Sequence, residues 1–127
     1  MASELRVNTL KDASGNNSIA TSFVAGGSAK MWAFIEGDGT PTLSDSLNVS
    51  SINDQETGVT TTNFTSNMTN ADYSANGTPR DNDEIMVIQE LVSSAPRSTS
   101  AVALKTHNLS GSQDSNSRSY TVNGDLA

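Results

Sequence analysis

Ala29-Lys30-Met31-Trp32-Ala33-Phe34-Ile35-Glu36 opens the stretch that decides the fold, which runs on through Gly37-Asp-Gly-Thr-Pro-Thr-Leu-Ser-Asp-Ser-Leu-Asn-Val-Ser-Ser-Ile-Asn53. It holds the only tryptophan of the chain. Read as a strand, successive side chains point to opposite faces. Trp32 and Phe34 then share one face, and Met31, Ala33 and Ile35 share the other. Both faces are apolar, which predicts a strand covered on both sides. The aromatic pair is assigned to the core, and Met31 and Ile35 to a face that meets another copy or a partner.

Residues 84–92 repeat the pattern. Ile85, Val87 and Leu91 fall on one face, Met86 and Ile88 on the other. Val87 is assigned to the core, and Met86 and Ile88 to the oligomer or partner face. Both strands are expected to be central. The expected core is Trp32, Phe34, Ile52, Phe64, Tyr73, Val87, Val102, Leu104, Tyr120 and Val122.

Working outward, the pattern predicts strands at 29–36, 42–47, 49–53, 58–64, 72–77, 84–92, 98–106 and 117–123. Turn signals fall at 37–39, 54–58, at Asn76-Gly77-Thr78-Pro79, at Ala95-Pro96 and at 111–117. Short strands about ten residues apart with turns between them indicate an all-β domain, a sandwich or a barrel; the expected fold is an antiparallel β-sandwich of jelly-roll-like type. A helix over 83–92 is the alternative for that segment. The β-branched Ile85-x-Val87-Ile88 run and the absence of a cap favour a strand.

Residues 1–28 have a different texture. Leu5, Val7 and Leu10 form a short alternating segment, residues 12–18 a turn cluster, and Ile19 to Val24 a second β-prone segment. Gly26-Gly27-Ser28 then interrupts the chain. A hairpin of this size is marginal alone. The expected organisation is an assembly arm over 1–28, docking through Leu5, Val7, Leu10, Ile19 and Phe23, and a sandwich domain over 29–127.

Composition narrows the function. Of the 127 residues, 34% are hydrophobic and 17% charged, and Ser, Thr, Asn and Gly make up the difference. So lean a core predicts a marginal monomer that a homo-oligomer would stabilise, and the two-sided apolar strands 29–36 and 84–92 lead to the expectation of a homotrimer. The net charge of −7 argues against electrostatic capture of nucleic acid. With no cysteine, disulfide, thiolate and cysteine-zinc chemistry are excluded. No apolar run approaches the ~20 residues of a membrane helix, and Met1 to Arg6 lacks the apolar core of a signal peptide. The sequons at Asn16, Asn48, Asn63, Asn67, Asn76 and Asn108 are read as a by-product of composition rather than glycan sites.

No catalytic motif stands out. The one histidine, His107, has no nucleophile elbow and no carboxylate placed by motif to orient it. Gly37-x-Gly39 is a hairpin turn, not a phosphate cradle. The acidic loops at 81–84 and Asp114-x-Asn116 lack the full spacing of a calcium loop. No enzyme activity, cofactor or metal is expected.

A wider pattern then becomes visible: Ser3 through Ala20, Ala29-Lys-x-Trp-x-x-Phe34, Gly37-x-Gly-Thr40, Asp45-Ser-x-Asn-Val-Ser-Ser-Ile-x-Asp54, Gly58, Asn63-Phe-Thr65, Met68 and Tyr73. It resembles a module of tailed bacteriophages, marine ones especially, found in tail-fibre-like and small virion structural proteins. The resemblance covers residues 3–73 and fades over 74–127. The chain departs from the pattern where Ile35-Glu36 follows Phe34 in place of a more usual polar Asn, and where Thr40-Pro-Thr interrupts the next strand. The resemblance implies a β-structured, trimeric virion appendage without catalytic residues. Its partners would be copies of itself, other virion proteins, and a glycan or protein of the host surface. The alternative is a head decoration or cement protein bound to the major capsid lattice.

Overall fold

The computed structural model describes residues 3–37, 39–82, 85–90 and 97–127. The fold is all-β and antiparallel, with one short helix. Its strands are β1 (Thr9–Lys11), β2 (Ser18–Ala20), β3 (Ala29–Glu36), β4 (Thr42–Leu47), β5 (Val49–Glu56), β6 (Val59–Phe64), β7 (Ser74–Arg80), β8 (Val87–Glu90), β9 (Ala101–Asn108), β10 (Gly111–Ser112) and β11 (Ser117–Asn123); helix α1 is Thr21–Gly27. One sheet runs β4-β3-β11-β7. A second runs β5-β6-β9, with β8 on the far side of β9 and the short β10 paired to the end of β9. β1 and β2 form a separate hairpin.

Both large sheets feed one core. Met31, Ala33, Ile35, Tyr120 and Val122 come from the first; Phe64, Val102 and Leu104 come from the second; Met68 and Tyr73 come from the segment joining β6 to β7. The largest fully buried side chain, Tyr120, sits between Ala33 on one neighbouring strand and Gly77 on the other. A Cβ on Gly77 would fall 2.8 Å from the Tyr120 Cβ and 3.1 Å from Ile88 Cδ1. Small residues on both flanks are what admit the phenol. Across the core, its hydroxyl bonds to that of Thr62. Tyr73 packs edge-on against Phe64, with ring centroids 5.9 Å apart.

This arrangement reverses the expected phase of β3. Met31, Ala33 and Ile35 are the buried residues, and Trp32 and Phe34 lie partly exposed on the outer face. The reason is volume. Tyr120, Phe64 and Tyr73 already supply large rings to the core, and beside Tyr120 the adjacent strand β3 offers the small Ala33, flanked by the unbranched or aliphatic Met31 and Ile35 rather than by further rings. Trp32 and Phe34 are therefore not core residues, and Met31 and Ile35 are not a partner face. The phase of β8 is reversed as well. Ile88 packs against the core from the edge, Met86 is partly buried just before the strand, and Val87 is 47% exposed. Leu91 lies outside the described residues, as do Asp83, Glu84 and the Ala95-Pro96 turn signal.

Several boundaries also differ from expectation: β5 runs on to Glu56, β8 spans Val87–Glu90, β9 spans Ala101–Asn108, and β10 falls inside the expected turn at 111–117. β7 runs straight through Asn76-Gly77-Thr78-Pro79 instead of turning there. It is an edge strand, so the missing N–H of Pro79 removes no bond from a central ladder. Residues 21–24 are helical rather than extended, and Phe23 and Val24 sit on α1. At the boundary, the Thr21 hydroxyl donates to the Val7 carbonyl at 3.1 Å.

β4 and β5 belong to different sheets, and the chain crosses between them at Asn48. This residue takes a left-handed φ of 58°, a conformation that asparagine tolerates better than most. Its side chain secures the corner. Nδ2 donates to the Ser66 carbonyl at 3.0 Å, and Oδ1 accepts the Ser66 N–H at 2.6 Å.

Candidate functional site

The first sheet has an outer face with its own relief. On β3, Trp32 and Phe34 project outward side by side. β11 lies beside it, and the register places Thr121 opposite Trp32 and Ser119 opposite Phe34. Beyond β11, Asn76 stands opposite Thr121 and Thr78 opposite Ser119. The middle strand thus carries small outward residues between two taller rows. The result is an open trough of about 460 Å³ with an aromatic wall, an amide-and-hydroxyl wall, and Ser119 and Thr121 as its floor.

None of the side chains lining the trough is charged; Arg80 follows Thr78 on the outward row of β7, outside the lining. Among the described residues, the hydroxyls of Thr78, Ser119 and Thr121 make no side-chain hydrogen bond, and Asn76 donates only to the neighbouring Ser74 hydroxyl, at 3.0 Å. Lys30, at the same end of β3 as Trp32, has its ammonium engaged by the Ser28 hydroxyl at 2.7 Å and the Ser28 carbonyl at 3.1 Å. Asp45 is the register neighbour of Phe34 on β4.

The segment before β3 is the second feature. Residues 3–28 contain no buried residue. Leu5 is 82% and Phe23 74% exposed, and Val7, Leu10 and Ile19 are exposed too. The β1–β2 loop is built locally on the Asp12 carboxylate. It accepts from the Ser14 hydroxyl and the Asn16 N–H at 3.0 Å each, and from Asn17 Nδ2 at 2.7 Å. These donors, the Ser14 hydroxyl foremost, hold its pKa below the ordinary aspartate value. The hairpin is thus closed by local contacts, and its apolar Leu10 and Ile19 are not covered.

The candidate chemical groups take structural positions. His107 lies near the end of β9, with Nε2 3.1 Å from Gln89 Oε1. Asp114 accepts the Gly58 N–H at 2.7 Å and so closes the β5–β6 turn. Of the 81–84 loop, only Asp81 and Asn82 are described, and the Asn82 N–H bonds to the Asp81 carboxylate at 2.7 Å. Among the described residues, no three His, Asp or Glu side chains gather as a metal site would need. None of the helices there is long and apolar enough to cross a membrane.

One buried group was not anticipated. Arg118, 2% exposed, points from β11 into the core and donates through Nη2 to the Thr60 hydroxyl. Its Nε and Nη1 find no partner among the described residues. Burial pulls its pKa down, against the opposing pull of Tyr120, Asp114 and Asp54. The alternation Arg118-Ser-Tyr120-Thr-Val122 carried the signal, since Arg118 shares the face of Tyr120 and Val122. The same alternation marks Ser119 and Thr121 as outward, and with them the floor of the trough.

Comparison of the chain with protein families, with curated proteins and with solved structures finds no match.

Proposed function

We propose that the chain is a non-enzymatic structural protein of a tailed-bacteriophage virion: a tail-fibre-like or appendage module, exposed on the particle and in contact with the host surface. The observation that carries this reading is the hairpin and helix of residues 3–28, which hold no buried residue and leave Leu5, Val7, Leu10, Ile19 and Phe23 open to solvent. Apolar side chains held in a fixed frame are suited to docking on another surface, and in a repetitive particle many copies add their weak contacts. The likeness of residues 3–73 to phage modules points the same way. The two core-sharing sheets are read as a jelly-roll-like sandwich.

A homotrimer is part of the proposal. The face first assigned to it is spent on the core, so the contact is moved to Ile85 and Leu109. These are 80% and 97% exposed and line one concavity of about 290 Å³. Light scattering at micromolar concentration should give three times the 13.3 kDa chain mass; a monomer both in solution and on the particle would reject the trimer.

The test of location is particle analysis. Purified virions should contain the chain by mass spectrometry, and a density map should place it on the outside. Deleting residues 1–24 should leave a folded domain that no longer joins the particle. Absence from virions would overturn the reading, and unchanged incorporation of the truncated chain would mean that attachment lies outside the arm. The same arm suits a head decoration that clamps capsid subunits. Copy number separates the two readings, with tens to hundreds for a decoration and a handful or a multiple of six for a tail part.

A further inference from the structure

We propose that the trough beside Trp32 and Phe34 is a binding site for a neutral carbohydrate. Ligand sites are concave and largely apolar, with a few convergent polar groups that orient the ligand. The trough has that composition, and its volume of about 460 Å³ suits one or two sugar rings. A pyranose has an apolar C–H face and a rim of hydroxyls. Its C–H face would lie on Trp32 and Phe34, which sit two residues apart on one strand and project to the same side. Its rim would then meet Asn76, Thr78, Ser119 and Thr121 on the floor and opposite wall. The hydroxyls of Thr78, Ser119 and Thr121 are free of other side chains among the described residues, so they need not break a bond to engage.

Charge selects the class. The lining itself carries no cation: Lys30 at one end is held by Ser28, Arg80 follows Thr78 on the outward row of β7 but lies outside the lining, and the carboxylate Asp45 is the register neighbour of Phe34. A phosphate, sulfate or sialic acid would find no counter-charge among the lining residues, and would meet a chain of net charge −7. A second copy of the chain is the weaker occupant. The contact between copies is assigned instead to Ile85 and Leu109, and an apolar contact at the trough would leave the hydroxyls of floor and wall without partners.

The inference deepens the host-contact part of the proposed function, and rests on that reading only for where the sugar comes from. The test uses the purified chain, whose single Trp32 reports on the site. Its emission is followed on titration with maltotriose, chitotriose and lactose, and with a sulfated heparin tetrasaccharide as the anionic comparator. At least one neutral sugar should give a saturable change, and the sulfated one none. Phe34→Ala, or Thr121→Arg to fill the floor, should weaken binding about tenfold or more, and both variants should keep the wild-type urea midpoint to within about 1 M. No response to any neutral sugar, a response to the sulfated one alone, or Trp32 emission that changes only with protein concentration would overturn the assignment. The last result would make the face a contact between copies. Absence of the chain from virions would leave a positive titration standing, so failure here and failure of the virion reading are told apart.

Discussion

Tyr120 and Thr62 share a hydrogen bond across the core, between residues 58 apart in sequence, and it ties β11 of one sheet to β6 of the other. Removing one partner leaves the other buried and unsatisfied. Tyr120→Phe should therefore cost about 1–3 kcal/mol in urea unfolding. Adding Thr62→Val should recover part of that loss. A double variant as unstable as the sum of the two single variants would mean that the hydroxyls do not interact.

Alkaline pH should unfold the protein through its tyrosines. Burial raises the Tyr73 pKa to about 12, against the opposing pull of Arg97 above its ring, and burial raises Tyr120 as well. In the unfolded chain these phenols ionise near 10. Between about pH 10 and 12 the unfolded state binds fewer protons than the folded one, so stability is intact below pH 10 and falls as pH rises. Melting temperatures should be level from pH 7 to 9 and drop above 10. Tyr73→Phe should flatten part of that drop; an unchanged slope would remove Tyr73 as a cause.

The two faces of β3 should respond differently to truncation. Ile35 is 1% exposed inside the core, and Ile35→Ala should cost about 2–5 kcal/mol. Phe34, one residue earlier on the outer face, should cost about 1 kcal/mol or less on truncation to Ala. Urea midpoints of the two variants decide this, and a reversed order would restore the aromatic face to the core.

Arg118 should be a net burden on stability. Among the described residues no carboxylate reaches salt-bridge distance of its guanidinium, and two of its three nitrogens lack partners. Replacing it together with its acceptor, as Arg118→Met with Thr60→Val, should leave stability unchanged or raise it by about 1–4 kcal/mol. A large loss in the double variant would show that the charge is compensated and holds the core end in place.

Much of the strand plan was legible, because period-two alternation and turn residues mark where strands lie. β3, β4 and β11 fall where the pattern put them. Alternation divides a strand into two faces without saying which looks inward. In β3 both faces are apolar, and the choice depends on Tyr120 and Phe64, which approach from distant strands. Ring size pointed to Trp32, and packing space chose Ala33. The Asn76-Gly77-Thr78-Pro79 run reads as a turn in isolation. It is a strand because Gly77 makes room for Tyr120 and because β7 lies at an edge. Phe23 sits in a helix that no local cap announces. For the trough, Ser119 and Thr121 were readable as outward, but the wall they face is set by register across three strands.

The position of β11 also bears on how the domain assembles. It joins β3 to β7 in the first sheet, pairing with partners about ninety residues upstream on one side and about forty on the other. Until it inserts, the β3–β4 hairpin and β7 each present a bare backbone edge with an apolar flank. Closing loops of that length is entropically expensive and comes before any contact repays it. The domain should fold on the slow side, in milliseconds to seconds. During that interval its chief hazard is an exposed edge that a neighbouring chain's β11 fits as well as its own, so exchange of this one strand between copies is the misassembly the topology invites.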